Sequence, residues 1–357
     1  MLCVMRASVV LILASSLAAA HAQLASAPSS PTPQTSPSAA LPADSGQAQA
    51  REDLQKGKFS DAIALLQQIA ATHPKQKGVD HDLGLAYYRS GKLQEARDSF
   101  QRAIAADPGD LESVQMEGLT LFRMGQPAAA APYLERVKQW APNADADANY
   151  VLGLCYLNSQ NFDAARGAFA AQYGVPANSG AAYLLLARML VAANLPEQGA
   201  DAARKALEVS PGLPLAHFLL GEVALYKSDV EVATREFEAE RAINPAYAPV
   251  YDRLGDLYSR VGNYELAQRC LMKSISLDRS STGPFILMGK VLLRRNDPQS
   301  AVLYLRHAEK MDPSNFITHD LLGQAFRSLG QEQEAKEEFD AAAKIHAAED
   351  VKSTIPQ

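Results

Sequence analysis

Small residues recur along this chain at a near-constant interval. Gly84, Gly118, Gly153, Gly221, Gly255, Gly289 and Gly323 are spaced by 34 residues, with 35 once between Gly118 and Gly153 and with Ala187 filling the gap after Gly153. Ala50 extends the series towards the amino terminus. Twelve residues after each comes another small residue: Ala62, Ala96, Ala130, Ala165, Gly199, Ala233, Ala267, Ala301 and Ala335. Four residues further stand Leu66, Phe100, Leu134, Phe169, Ala203, Phe237, Leu271, Leu305 and Phe339. Apolar residues flank the glycines at helical spacing, as in Leu83 and Tyr87 or Leu254 and Tyr258. This pattern predicts two amphipathic helices per period. Self-similarity at such a period predicts stacked repeats. The small residue of the first helix is expected to face that of the second, so that the backbones approach closely.

Turn residues support the same division. Gly91, Gly125, Gly262 and Gly330 are expected to end first helices in the left-handed conformation. Pro127, Pro196 and Pro298 fall where second helices should start, and a missing N–H is harmless there. Pro74, Pro108, Pro142, Pro211, Pro245 and Pro313 should stop second helices. Units therefore start near 43, 77, 111, 146, 180, 214, 248, 282 and 316, and the array spans 43–349. A lone helix pair leaves much of its apolar surface wet, so stability should come from stacking neighbours. Residues 350–357 form a short tail.

These residues resemble the tetratricopeptide repeat family. Leu83-Gly84-Leu85-Ala86-Tyr87 and Leu254-Gly255-Asp256-Leu257-Tyr258 show its first-helix core best, and Tyr183, Tyr251 and Phe285 supply the usual early aromatic. The resemblance implies an all-α, right-handed superhelical solenoid of about nine helix-turn-helix repeats. It is specific for fold and unspecific for function. In the first unit Asp53 replaces an apolar residue, and the last helix carries Glu332, Glu334, Lys336, Glu337, Glu338 and Lys344. Both ends read as solubilising caps. Tyr173 to Ser179 reads as an irregular turn.

Upstream of the repeats the pattern changes. Arg6, the apolar run Val9 to Leu17 and Ala20-His21-Ala22 read as an export signal over 1–22, cleaved before Gln23. Residues 23–46 are rich in Ala, Pro and Ser and read as a disordered linker. The expected location is therefore periplasmic or secreted, with no integral membrane segment after cleavage. Cys155 and Cys270 remain after cleavage, three repeats apart and beyond disulfide reach.

Hydrophobic residues make up 47% of the 357, which excludes bulk disorder, and the formal net charge is -6. That mildly acidic balance, with no basic run, argues against nucleic-acid binding. The histidines are scattered, no Cys-x-x-Cys occurs, and phosphate loops and nucleophile elbows are absent. No catalytic residue, metal or cofactor is expected, and the chain reads as no enzyme.

The resemblance implies a binding face instead. In the family, first helices line the concave surface. The positions three before and one after the core glycine are here Tyr150 and Leu154, Leu184 and Arg188, Phe218 and Glu222, Asp252 and Asp256, and Ile286 and Lys290. Apolar anchors mixed with isolated charges suit a protein or peptide partner, bound as an extended segment or a helix. Leu154, Leu184 and Ile286 could equally pack between repeats. The carboxylate clamp of some members is missing, since its positions hold His81, Leu85, Gln115 and Leu119. The expected function is a non-catalytic scaffold or adaptor outside the cytoplasm. The alternative is a regulatory or assembly subunit of an envelope enzyme or of a secretion or polysaccharide-export complex. Oligomeric state is not legible.

Overall fold

A computed structural model describes residues 43–140 and 146–353. The signal segment, the linker up to residue 42 and Pro142 lie outside the described residues. Among the described residues there are eighteen helices and no strand. The chain divides into two compact units, one ending at Leu195 and one starting at Pro196. The division falls inside the fifth predicted repeat.

The first unit contains α1 (Ala43–Gln55), α2 (Phe59–Thr72), α3 (Val79–Arg89), α4 (Leu93–Ala106) and α5 (Leu111–Arg123). It continues with α6 (Pro127–Trp140), α7 (Ala146–Asn158), α8 (Phe162–Gln172) and α9 (Gly180–Ala192). The second unit contains α10 (Pro196–Val209), α11 (Ala216–Tyr226), α12 (Val230–Ile243), α13 (Ala248–Arg260) and α14 (Tyr264–Leu277). It ends with α15 (Gly283–Arg294), α16 (Pro298–Met311), α17 (Phe316–Ser328) and α18 (Glu332–Ser353). Within each unit every helix packs against the next in sequence.

The recurring glycine also makes room for a large partner; at Gly255 the backbone of the small residue Ala267 is itself among the nearest atoms, 3.6 Å from where a Cβ would stand. A Cβ on Gly84 would lie 2.4 Å from Phe100, one on Gly221 2.6 Å from Phe237, and one on Gly289 2.4 Å from Leu305. The missing side chain makes room for the large residue of the second helix. Those large residues are fully enclosed: Phe100, Phe237, Leu271 and Leu305 are each 0% exposed. Burying one such side chain contributes roughly 1.5–3 kcal/mol. The small residue twelve positions on is also buried, but the large side chain four residues later fills the crossing.

The predicted glycine turns adopt the left-handed conformation, as at Gly91 (φ 80) and Gly262 (φ 78). In four other turns Gln160, Asn194, Ser228 and Asn296 take that place, with φ of 58, 61, 62 and 62. Pro127, Pro196 and Pro298 open α6, α10 and α16 as expected. At the carboxyl end Ala347 stands where Pro313 stands one period earlier. Nothing stops the helix there, so α18 runs for 22 residues and takes in residues 350–353 of the expected tail. At the other end α1 begins at Ala43, so residues 43–46 are helix rather than linker. Cys155 and Cys270 are buried and free, and burial pushes the Cys155 thiol up to about 11.

Candidate functional site

In the first unit, α7 presents Tyr150 and Leu154 and α9 presents Leu184 and Arg188. The first three are half-buried and Arg188 is exposed. The Tyr150 ring lies 6.0 Å from that of Phe169. Burial, with Tyr173 nearby, raises the Tyr150 hydroxyl above its ordinary range.

In the second unit, three successive first helices carry the remaining candidates: Phe218 and Glu222 on α11, Asp252 and Asp256 on α13, Ile286 and Lys290 on α15. Lys290 is exposed and the others are half-buried. Phe218 packs 5.3 Å from Phe237 and 5.2 Å from Tyr247, edge to face with the latter. Its backbone is held from behind. The buried Glu240 of α12 accepts from the Leu215 N–H at 2.8 Å and the Phe218 N–H at 3.3 Å. This carboxylate meets the amino-terminal end of α11, where orphan N–H groups and the helix dipole favour a negative charge. It also holds Leu215 at φ 72, a conformation that is an outlier for a bulky side chain.

Two of the charges on this face, Glu222 and Asp256, are paired rather than isolated. Glu222 receives both arms of Arg253, at 2.6 and 3.2 Å. Asp256 pairs with Arg260 one turn on, at 2.8 Å from Nε. Asp252 sits between them, and its Oδ1 is buried with no hydrogen-bond partner. Burial pushes the Asp252 carboxyl above the usual range; Arg253 opposes this, while Asp256 and Glu222 add to it. Three carboxylates against two guanidinium groups leave one negative charge in excess.

Arg253 is not among the residues that the repeat register singles out. A signal for it existed. Arg51 of α1 and Asp82 of α3 are 31 residues apart and hydrogen-bonded at 2.9 Å, and Glu222 and Arg253 are also 31 apart. The position after the core glycine, or after Ala50, meets the position two before the core glycine of the next repeat. Opposite charges at that spacing predict a cross-repeat pair. The clamp position His81 is likewise committed: it bonds Ser113 at 2.8 Å and lies 3.7 and 3.5 Å from Asp110 and Glu112. That surrounding repels a carboxylate ligand.

One His and carboxylate cluster among the described residues is tight enough to suggest metal binding, Glu309, His319 and Glu338. Its donors are already used. His319 Nδ1 meets Glu338 at 2.7 Å and Nε2 meets the Pro313 carbonyl at 3.0 Å. Both partners are acceptors, so both ring nitrogens donate and the imidazole is charged. Arg306 adds a second cation, 2.7 Å from Glu338 and 2.8 Å from Glu309. Two cations balance two anions without an ion.

Family models of the tetratricopeptide repeat match residues 48–110, 116–182, 248–281 and 286–350. The chain belongs to the tetratricopeptide repeat family. Among curated relatives it is 24% identical over 255 residues to the protein CTR9 homolog of Arabidopsis thaliana, covering 69% of this chain and 23% of the relative. It is 21% identical over 285 residues to anaphase-promoting complex subunit 3 of Schizosaccharomyces pombe, covering 80% and 43%. The chain spans less than half the length of these relatives. The solved structure of YrrB, a TPR protein with an unusual peptide-binding site, is 20% identical, with a TM-score of 0.44 over 47% of this chain and 87% of that one. A structure of MamA is 16% identical, with a TM-score of 0.43 over 46% and 95%. The tetratricopeptide repeat is a protein-binding scaffold fold, and no described helix of this member is long and apolar enough to cross a membrane.

Proposed function

We propose that this tetratricopeptide repeat protein is a non-catalytic scaffold, working outside the cytoplasm, that holds an extended peptide or a helix against its first helices. One observation carries the reading. In the second unit, Asp252 Oδ1 is buried without a partner in a cluster whose other carboxylates are paired. An unmet acceptor of this kind costs about 1–3 kcal/mol, and because Asp252 as a whole is only half-buried, its carboxylate can turn to a ligand donor and recover it. Phe218 and Ile286 hold the equivalent positions on the neighbouring first helices. The occupant that fits carries a Lys, an Arg or a main-chain N–H over Asp252, with apolar side chains on either side. No phosphate-binding surface is involved, since the local excess charge is negative.

The test is a crosslinking capture from the native source, comparing wild type with Asp252→Lys and Lys290→Glu. Helicity and thermal midpoint must be equal in all three. A partner held by the wild type and lost on Asp252→Lys supports the reading. The same partner held by all three proteins overturns it. Export is tested separately, by the amino-terminal sequence of the protein from its own cells: a start at Gln23 in an extracytoplasmic fraction supports it, and an intact Met1 in the cytoplasm overturns it.

A further inference from the structure

The last hairpin does not end as a cap. In the repeats before it, the large residue of each second helix is sealed by the next first helix. Leu271 and Leu305 are both 0% exposed, in one cluster with Met288 and Leu322. Phe339 holds the same register on α18 but is only half-buried. With Phe316, Ala342, Ala343 and Ala347 it lines an open groove of about 470 Å³, in which Asp320 and His346 are the polar members. None of the charged residues expected to cap this end lines the groove. Glu332, Glu334, Lys336, Glu337 and Lys344 are exposed, and Glu338 is turned inward onto His319.

We propose that this groove receives the same face of a second copy of the chain, with the two α18 helices packed antiparallel across a twofold axis. Three observations lead there. The groove continues an established interface, the one that stacks each repeat of this unit on the next, so it is shaped for a helix. It carries bulky and small residues side by side. A twofold can therefore set Phe339 of each copy over the Ala342, Ala343 and Ala347 surface of the other, the close approach that small residues allow. The rim is self-complementary as well: Asp340 and Lys344 are exposed one turn apart on α18, so an antiparallel axis near Ala342 sets each Asp340 against the other copy's Lys344. Head-to-tail stacking is disfavoured by composition, because α1 exposes Asp44, Ser45, Gln49 and Glu52.

The experiment is sedimentation equilibrium of the full chain over a wide concentration range. A reversible monomer–dimer equilibrium is expected. Ala343→Glu should abolish the dimer and leave helicity intact, since Ala343 is exposed. Asp340→Lys and Lys344→Asp should each weaken the dimer by roughly tenfold, and the double exchange should restore it. A wild type that stays monomeric throughout overturns the proposal and leaves the groove to a helix of another protein. A dimer indifferent to Ala343→Glu, or one weakened by the single charge swaps and not restored by the double exchange, overturns the α18 pairing.

Discussion

The α4–α5 junction in the first unit and the α17–α18 hairpin in the second each bury charge where other repeats bury hydrocarbon. They solve the problem to different degrees. On α5, Glu117 occupies the position before the core glycine, held by Leu83 or Leu254 elsewhere, and is 0% exposed. Gln101 donates to one oxygen at 3.0 Å and Arg97 Nε is 3.7 Å away, too far for a hydrogen bond. The other oxygen and Arg97 Nε have no partner. In α17–α18, His319, Glu338 and Arg306 leave no such vacancy. A buried ion pair is tolerated when every proton and lone pair is matched, and is a liability when one is not.

Breaking the matched pair should have the largest effect. Glu338→Ala leaves a charged imidazole buried against one carbonyl. We expect a loss of roughly 3–5 kcal/mol, read as a lower urea midpoint of the transition that reports the second unit. The same position shows how hydrocarbon would serve. Tyr251 stands two periods earlier and donates to the Pro245 carbonyl at 2.9 Å, as His319 does to Pro313. Opposite it, in the place of Glu338, is Cys270. The double variant His319→Tyr/Glu338→Ala should therefore return to within about 1.5 kcal/mol of wild type. A double variant no better than Glu338→Ala would show that the ion pair itself, and not satisfaction of the Pro313 carbonyl, holds the hairpin.

Repairing the mismatched site should have the opposite sign. Glu117→Leu removes an unsatisfied buried oxygen and restores the residue that its equivalents carry. Gln101 is exposed and the Arg97 side chain partly reaches solvent, so only Arg97 Nε stays buried without a partner, as it is already. We expect a gain of about 1–3 kcal/mol, measured as a higher midpoint. A loss instead would mean that the partly paired carboxylate is net favourable, and the contrast between the two regions would fail.

These two sites also mark where sequence stops being readable. Repeat length, hairpin turns and the enclosed Phe and Leu series follow from spacing, because the same contact recurs at every period. Glu117 breaks the period at a single residue, and its neighbours Arg97 and Gln101 lie on the previous repeat, so spacing within one repeat says nothing of it. Glu338 reads as one more surface charge on a charged helix. Its burial depends on His319 across the hairpin, a pairing that His217 and Glu236 repeat at 2.8 Å with the same separation of 19. The candidate binding residues lie on first helices and are half-buried or exposed, which spacing can foresee. The pairing of their charges is not visible that way, because it arises between repeats rather than within one.

The subtlest distinction between the two regions is its dependence on pH. Burial raises the Glu117 carboxyl above its ordinary 4.5, against the opposing pull of Gln101 and Arg97. Burial acts to lower the His319 imidazole, but its bonds to Glu338 and Pro313 prevail and raise it above 6.5. In both cases the folded state holds its proton more tightly than the unfolded state. Each contribution is then complete below the unfolded value and is lost as pH rises through the folded one. The signs agree and the windows differ. Glu117 removes stability as pH climbs from about 4.5, and His319 as it climbs from about 6.5. Unfolding midpoints should be measured from pH 4 to pH 9 for wild type, Glu117→Leu and His319→Gln. The wild type minus Glu117→Leu difference should change only in the acid window, and the wild type minus His319→Gln difference only in the neutral-to-alkaline one. A His319→Gln difference that is flat above pH 6 would mean that His319 is neutral in the folded protein and donates through one ring nitrogen alone.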